Sequence, residues 1–151
     1  MKLCSVCLNS DILCSGCQRK MENGLISKTD VEVSRALEKT VNVKTDFVRA
    51  TEHKSQLIIV CEKKDAKLII GRGGKNVREI SKLLGKGVRV IENSGEKKML
   101  EDILGAPVVG INIVYPDEIR RIRIDKRFRK LRADPVLLEK IMGSKYNITF
   151  E

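Results

Sequence analysis

Residues 68–77 read Leu-Ile-Ile-Gly-Arg-Gly-Gly-Lys-Asn-Val, and no other stretch limits the possible folds of this chain as tightly. Gly71 and Gly74 stand three apart with Arg72 and Gly73 between them, so the backbone there can take conformations that a Cβ atom resists. Apolar Ile69 and Ile70 lead into the loop, and a helix predicted over 75–84 leads out of it. A helix N-terminus carries N–H groups without intrahelical partners and a partial positive charge. A phosphate can sit there, and glycine lets a sugar-phosphate chain come close.

The elements around this loop fall in a defined order. Gly24 breaks the chain, and Thr29-Asp30-Val31-Glu32 has the form of a capping box. Val33, Ala36, Leu37, Thr40 and Val41 follow at spacings of three and four, which predicts a helix over 30–40. Residues 47–51 read as a strand, 52–55 as a polar turn containing the lone His53, and 56–62 as a buried or half-buried strand. Residues 63–68 have room for one or two helical turns before the glycines. In the helix over 75–84, Val77, Ile80, Leu83 and Leu84 share one side and charges the other. Residues 88–92 form a last strand. The sequence therefore predicts helix, strand, strand, helix, glycine loop, helix, strand. Cys61, inside an apolar run, reads as a small buried hydrophobe.

Ahead of this unit, Cys4-Ser-Val-Cys7 and Cys14-Ser-Gly-Cys17 form a CxxC pair separated by six residues. Each CxxC presents two thiolates from one tight knuckle, and two knuckles complete a tetrahedral set. The intervening residues are expected to form a short hairpin, with Asn9-Ser10-Asp11 supplying the turn. Structural Zn2+ bound by Cys4, Cys7, Cys14 and Cys17 is the expected cofactor; an iron–sulfur cluster uses the same ligands and stays open as an alternative. So short a piece buries little apolar surface, so the metal would supply its folding energy. The site would be closed by four thiolates, which makes it a scaffold.

Residues 95–151 repeat the order. Ser94 is a candidate cap for a helix over 96–104, strands follow over 107–115 and 119–128, Asp134-Pro135 opens a helix to Met142, and 146–150 is a strand. No glycine loop appears; residues 128–133 stand in its place. Residues 119–132 hold eight Lys or Arg and the single acid Asp125, which reads either as a solvated face or as an electrostatic track for a polyanion. The whole chain is basic, with 30 Lys+Arg against 20 Asp+Glu and a net charge of +10, and this favours a nucleic-acid partner. No apolar run approaches a membrane span, and the first residues lack a signal-peptide stretch, so a cytoplasmic location is expected. No nucleophile–base pattern, Walker loop or dinucleotide motif is present, so an enzyme is not expected and no catalytic residue is assigned.

The segment Ile70-Gly71-Arg72-Gly73-Gly74-Lys75-Asn76-Val77 resembles the GxxG signature of KH domains, and the surrounding order resembles the αββααβ arrangement of the type II KH fold. The resemblance implies an α+β protein: a four-cysteine knuckle over 1–24, a type II KH domain over 28–93, and a degenerate KH-like domain over 95–151. Two such domains in so short a chain resemble the KH pair of NusA-type transcription elongation factors, particularly the small archaeal NusA-like proteins.

That likeness implies a single-stranded RNA-binding protein of transcription elongation or termination. Its backbone N–H groups at Gly73, Gly74 and Lys75, with Arg72, Lys75 and Arg78, would contact phosphates. Ile69, Ile70, Val77 and Ile80 would line an aliphatic groove for about four bases. With Gly71 shaping the loop and Asn76 either reaching the strand or capping, these are the candidate RNA-binding residues. Aromatic side chains are too few for a stacking platform, which fits an aliphatic groove better. RNA polymerase and the ribosome are the candidate partners. The alternative is a ribosome-associated or ribosome-assembly protein that docks through both KH units and the knuckle. Single-stranded DNA is a third possibility.

Overall fold

The computed structural model describes residues 2–41, 43–131 and 134–151. The chain divides into two compact units, Met1–Asn93 and Ser94–Glu151. The first runs α1 (Ser5–Leu8), α2 (Ser15–Glu22), α3 (Lys28–Thr40), β1 (Arg49–His53), β2 (Gln56–Cys61), α4 (Lys63–Ile70), a 3-10 turn (Arg72–Gly74), α5 (Lys75–Leu84) and β3 (Gly87–Glu92). The second runs α6 (Glu96–Leu104), β4 (Val108–Val114), β5 (Ile119–Ile124), a 3-10 turn (Lys126–Phe128), α7 (Pro135–Met142) and β6 (Tyr146–Phe150).

Each unit carries a three-stranded sheet, in the orders β1-β2-β3 and β4-β5-β6. In both, the first two strands are antiparallel and the last two parallel. A parallel pair needs a crossover connection. In the first unit that crossover is α4, the glycine turn and α5, so the loop hangs between two helices anchored to the central strand. Residues 57–61 of β2 are all buried, as a central strand covered on both faces requires. Leu57, Ile59 and Cys61 join Val33, Ala36 and Leu37 of α3, Ala66 and Ile69 of α4, and Ile80 of α5 in one apolar cluster. Cys61 is a core side chain, as its apolar setting predicted.

Helix α3 starts two residues earlier than the sequence suggested, and with a different cap. Ser27, not Thr29, is the N-cap: its hydroxyl accepts the Asp30 N–H at 3.1 Å, and Asp30 Oδ2 accepts the Ser27 N–H at 2.9 Å. The choice between two overlapping motifs is settled by tertiary structure, because Asp30 Oδ1 also accepts the Ala50 N–H of β1 at 3.3 Å. The expected polar turn over 52–55 is shorter. β1 runs on through His53, which pairs with Gln56, and only Lys54 and Ser55 turn the chain, both at positive φ. A two-residue turn of this kind matches the twist of the strands it joins. Lys86, beyond the C-cap of α5, pairs with Glu52 of β1 at 3.0 Å and Glu32 of α3 at 3.5 Å.

In the second unit Gly95, not Ser94, is the N-cap of α6. Glu96 in the first turn of that helix accepts Arg120 Nη1 of β5 at 2.9 Å and Tyr146 Oη of β6 at 3.0 Å, tying one helix end to two strands. Burial, joined by the Glu96 carboxylate, pushes the Tyr146 phenol up to about 12. The strand expected to reach residue 128 stops at Ile124, where Asp125 caps the 3-10 turn by accepting the Arg127 N–H at 2.9 Å. Asp134 caps α7, with Pro135 at its first position.

Asp30 combines a cap with a helix-to-strand bond in a nearly buried position, so Asp30→Ala leaves two backbone donors without their acceptor. We expect a loss of about 2 kcal/mol, seen as a lower urea midpoint for the first unit and faster exchange of the Ala50 amide. A midpoint unchanged within error, with the Ala50 amide as protected as before, would contradict this assignment.

Candidate functional site

The glycine turn owes its shape to two positions. Gly71 sits at φ 75°, ψ 174°, a region open in practice to glycine alone. A Cβ there would lie 2.7 Å from the Asn76 side chain. Asn76 Nδ2 donates to the Leu68 carbonyl at 2.9 Å, which locks the first turn of α5 against the last turn of α4. Asn76 is therefore a brace within the loop. Gly73 and Gly74 are also left-handed, at φ 63° and 77°, but a Cβ on Gly73 would meet nothing within 4 Å.

The Gly74 N–H donates to the Gly71 carbonyl at 3.2 Å and the Lys75 N–H to the Arg72 carbonyl, so both close the turn on itself. Of the three backbone donors expected to meet phosphates, that leaves Gly73, whose N–H enters neither bond. Helix α5 has no side-chain cap and no acid in its first turn. Its N-terminal N–H groups thus keep their attraction for an anion. Arg72, Lys75 and Arg78 are exposed around it, and Arg78 Nη1 lies 3.9 Å from where a Gly74 Cβ would be, so its guanidinium overhangs the turn.

The expected aliphatic groove needs revision. Ile69 and Ile80 are each 0% exposed and belong to the core, where they hold the two helices to the sheet and present no surface to a base. Ile70, at 38% exposure, and the half-buried Val77 are the apolar groups beside the turn that a base can touch. Leu83, placed by periodicity on the apolar side of α5, is 54% exposed.

At the N-terminus, the sulfurs of Cys4, Cys7, Cys14 and Cys17 all lie within 4.8 Å of one another, with Cys4 and Cys14 Sγ atoms 3.9 Å apart. A tetrahedron of Zn–S bonds has edges of about 3.8 Å, so the four thiols fit a metal ion. The residues between the knuckles form no hairpin. Each CxxC instead opens a short helix with its first cysteine at the N-cap, and Cys14 Sγ accepts the Cys17 N–H at 3.5 Å. A thiolate at a helix N-terminus is favoured electrostatically. The Cys7 backbone N–H accordingly draws the Cys4 thiol down to about 6, and the Cys17 N–H lowers Cys14. Cys7 accepts the Cys14 N–H at 3.1 Å, yet burial and the neighbouring thiols push it up to about 12.

The knuckle is part of the first unit. Leu3, Cys7, Leu8 and Cys17 pack with Ile26, just before α3, and Val31 within it, and Arg35 Nε of α3 donates to the Cys7 carbonyl at 3.2 Å. Arg35 Nη2 is buried without a hydrogen-bond partner among the described residues.

Residues 27–141, well over half of the chain, match the model of the KH domain family. The chain belongs to the KH domain family. KH domains bind nucleic acid, and the matched span includes the glycine turn described above. No curated protein matches the chain. Among solved structures it is similar to the crystal structure of APE1850, with 19% identity over 80% of this chain and 95% of that one, at a TM-score of 0.61. That share is larger than either compact unit alone, so the common fold extends through parts of both. No helix among the described residues is long and apolar enough to cross a membrane.

The thiols of the cluster must lose their protons to bind a metal, so affinity should fall as pH falls, with proton release on binding. Titration of the metal-free protein with Zn2+ should show one equivalent bound per chain and a rise in thermal stability that Cys17→Ser abolishes. Binding that is independent of pH and indifferent to that substitution would remove the cluster as a metal centre.

Proposed function

We propose that this KH protein binds single-stranded RNA at the glycine turn of its first unit. The observation that carries the reading is the uncapped N-terminus of α5, exposed at a turn with three left-handed glycines, ringed by Arg72, Lys75 and Arg78. A phosphate at the turn would receive the Gly73 N–H and lie at the positive end of the α5 dipole, with the three cations screening the backbone charge. Arg78, overhanging Gly74, suits a second phosphate. Ile70 and Val77 offer an aliphatic edge on which an unstacked base can rest. Ile69, Ile80, Gly71 and Asn76 act from beneath by fixing the turn.

The same reading makes both units type II KH domains, the second without its glycine clamp. It makes the four-cysteine cluster a structural Zn2+ site that anchors α1 and α2 to α3, and it places the chain in transcription elongation or termination beside RNA polymerase, in the manner of NusA-type factors. The order of elements in the two units supports the last step. If it is right, the tagged protein should co-purify with RNA polymerase from its own cells. Co-sedimentation with ribosomal subunits instead would reassign it to the ribosome.

The clamp itself is tested by Arg72→Asp combined with Gly73→Asp. Residue 73 is left-handed with open space around it, and aspartate tolerates that conformation better than most side chains, so the fold should survive. One charge reversal and one added negative charge at a phosphate site should lower affinity for a short single-stranded RNA on the order of 100-fold at 0.1 M salt, with unchanged circular dichroism. Wild-type affinity in this variant would refute the clamp.

A further inference from the structure

The second unit has no glycine turn, and its crossover helix is closed to anions in another way. Asp134 Oδ1 accepts the Val136 N–H at 3.0 Å and the Leu137 N–H at 3.4 Å, so a carboxylate already occupies the N-terminus of α7. Backbone clamping of a phosphate is unavailable there. What the crossover carries in its place is the turn after β5. Lys126, Arg127, Arg129 and Lys130 are all exposed and together line one open concavity of ≈ 530 Å³ that no acidic side chain lines.

The nearest acid is Asp125, and it is committed. Its Oδ1 accepts the Arg127 N–H at 2.9 Å and lies 3.3 Å from Arg127 Nε, and that backbone bond, with Arg127 and Lys126, holds its carboxyl below the usual range. Lys126, Arg129 and Lys130 make no ion pair among the described residues. Backbone bonds fix the turn that presents them. The Phe128 N–H donates to Asp125 O at 2.9 Å, Arg129 N–H to Lys126 O at 3.2 Å, and Leu131 N–H to Phe128 O at 2.9 Å. A hydrogen-bonded turn thus gathers four like charges around one hollow, three of them outside any ion pair among the described residues. A bound phosphate would relieve their mutual repulsion.

We propose that this basic turn is a second RNA-backbone site, reading phosphates through side chains where the first unit uses a helix end. The inference rests on the single-stranded RNA reading for its ligand, but it stands or falls separately from the glycine clamp. Side-chain cations contacting phosphates make affinity fall with salt by about 0.7 per contact in log–log slope, with little dependence on base sequence.

The test uses the full chain and an oligo(U) of about 16 nucleotides, long enough to engage a groove of this kind. Binding is measured across a salt series for wild type, for Arg72→Asp/Gly73→Asp, and for that variant with Lys126→Gln, Arg129→Gln and Lys130→Gln added. We expect the clamp variant to keep residual, salt-sensitive binding. The three added substitutions should reduce it on the order of 100-fold at 0.1 M salt and flatten the salt slope by about 2. The proposal is overturned if the clamp variant binds nothing, or if the glutamines leave its affinity and slope unchanged. A clamp variant that binds as tightly as wild type would sink the clamp reading alone, and the glutamine substitutions would still decide the basic turn.

Discussion

Asn76 and Gly71 occupy the same few cubic ångströms, and the first unit depends on that arrangement. The Asn76 amide reaches back to the Leu68 carbonyl and so ties α5 to α4, and it passes through the space a Cβ on residue 71 would fill. Ile69 and Ile80, one on each side of the turn, lie in the core. A rigid turn matters for binding because each donor held in place before a ligand arrives removes an ordering cost from the encounter. Gly73 lies outside this constraint: its left-handed backbone needs no neighbour to yield, and the surface above it is open.

The cysteine knuckle shows how a piece too small to fold alone becomes part of a larger core. Cys7 and Cys17 are buried among Leu3, Leu8, Ile26 and Val31, while Cys14 faces solvent. Arg35 reaches from the middle of α3 to the Cys7 carbonyl. Through these contacts, a metal at the four thiols would stabilise α3, and α3 packs against α5, the helix that opens at the glycine turn. The thiol environment is polarised in advance. The two N-cap cysteines are the acidic ones, and the inner Cys7 is the reluctant one, so deprotonating it falls to the metal's own charge.

The sequence showed helix α5 to the residue, because glycines punctuate both its ends and Gly74 and Gly85 both take the left-handed conformation that stops a helix. It also showed the order of strands and helices from α3 onward, which hydrophobic periodicity carries well. It did not show the depth of individual side chains. Ile69, Ile70, Val77 and Ile80 look alike in the sequence, and only the packing of α4 and α5 on the sheet separates the two that are sealed from the two that reach the surface. The sequence put the cap of α3 at Thr29 where the structure has Ser27, since the second partner of Asp30, the Ala50 N–H, is twenty residues away. The hairpin turn at Lys54-Ser55 lacks the glycine or asparagine that usually announces positive φ. The cysteine knuckles hid their helices because cysteine is an unusual N-cap until its sulfur is drawn toward a thiolate.

The two units place opposite chemistry at the same point of one topology. Both make a parallel pair of strands, and both return through a crossover whose last helix leads to the edge strand. In the first, that helix begins at glycine with no side-chain cap, so on the proposed reading its own backbone would receive the phosphate. In the second, Asp134 supplies the negative charge from within, so any outside anion must be met by side chains farther back along the crossover. Backbone donors on a fixed turn demand a particular approach of the phosphate and gain little from its distance. Long, mobile cations on an exposed turn accept many approaches and act over a Debye length. If both proposed sites bind, the first would fix the register of the strand and the second would raise its local concentration, most strongly where salt is low.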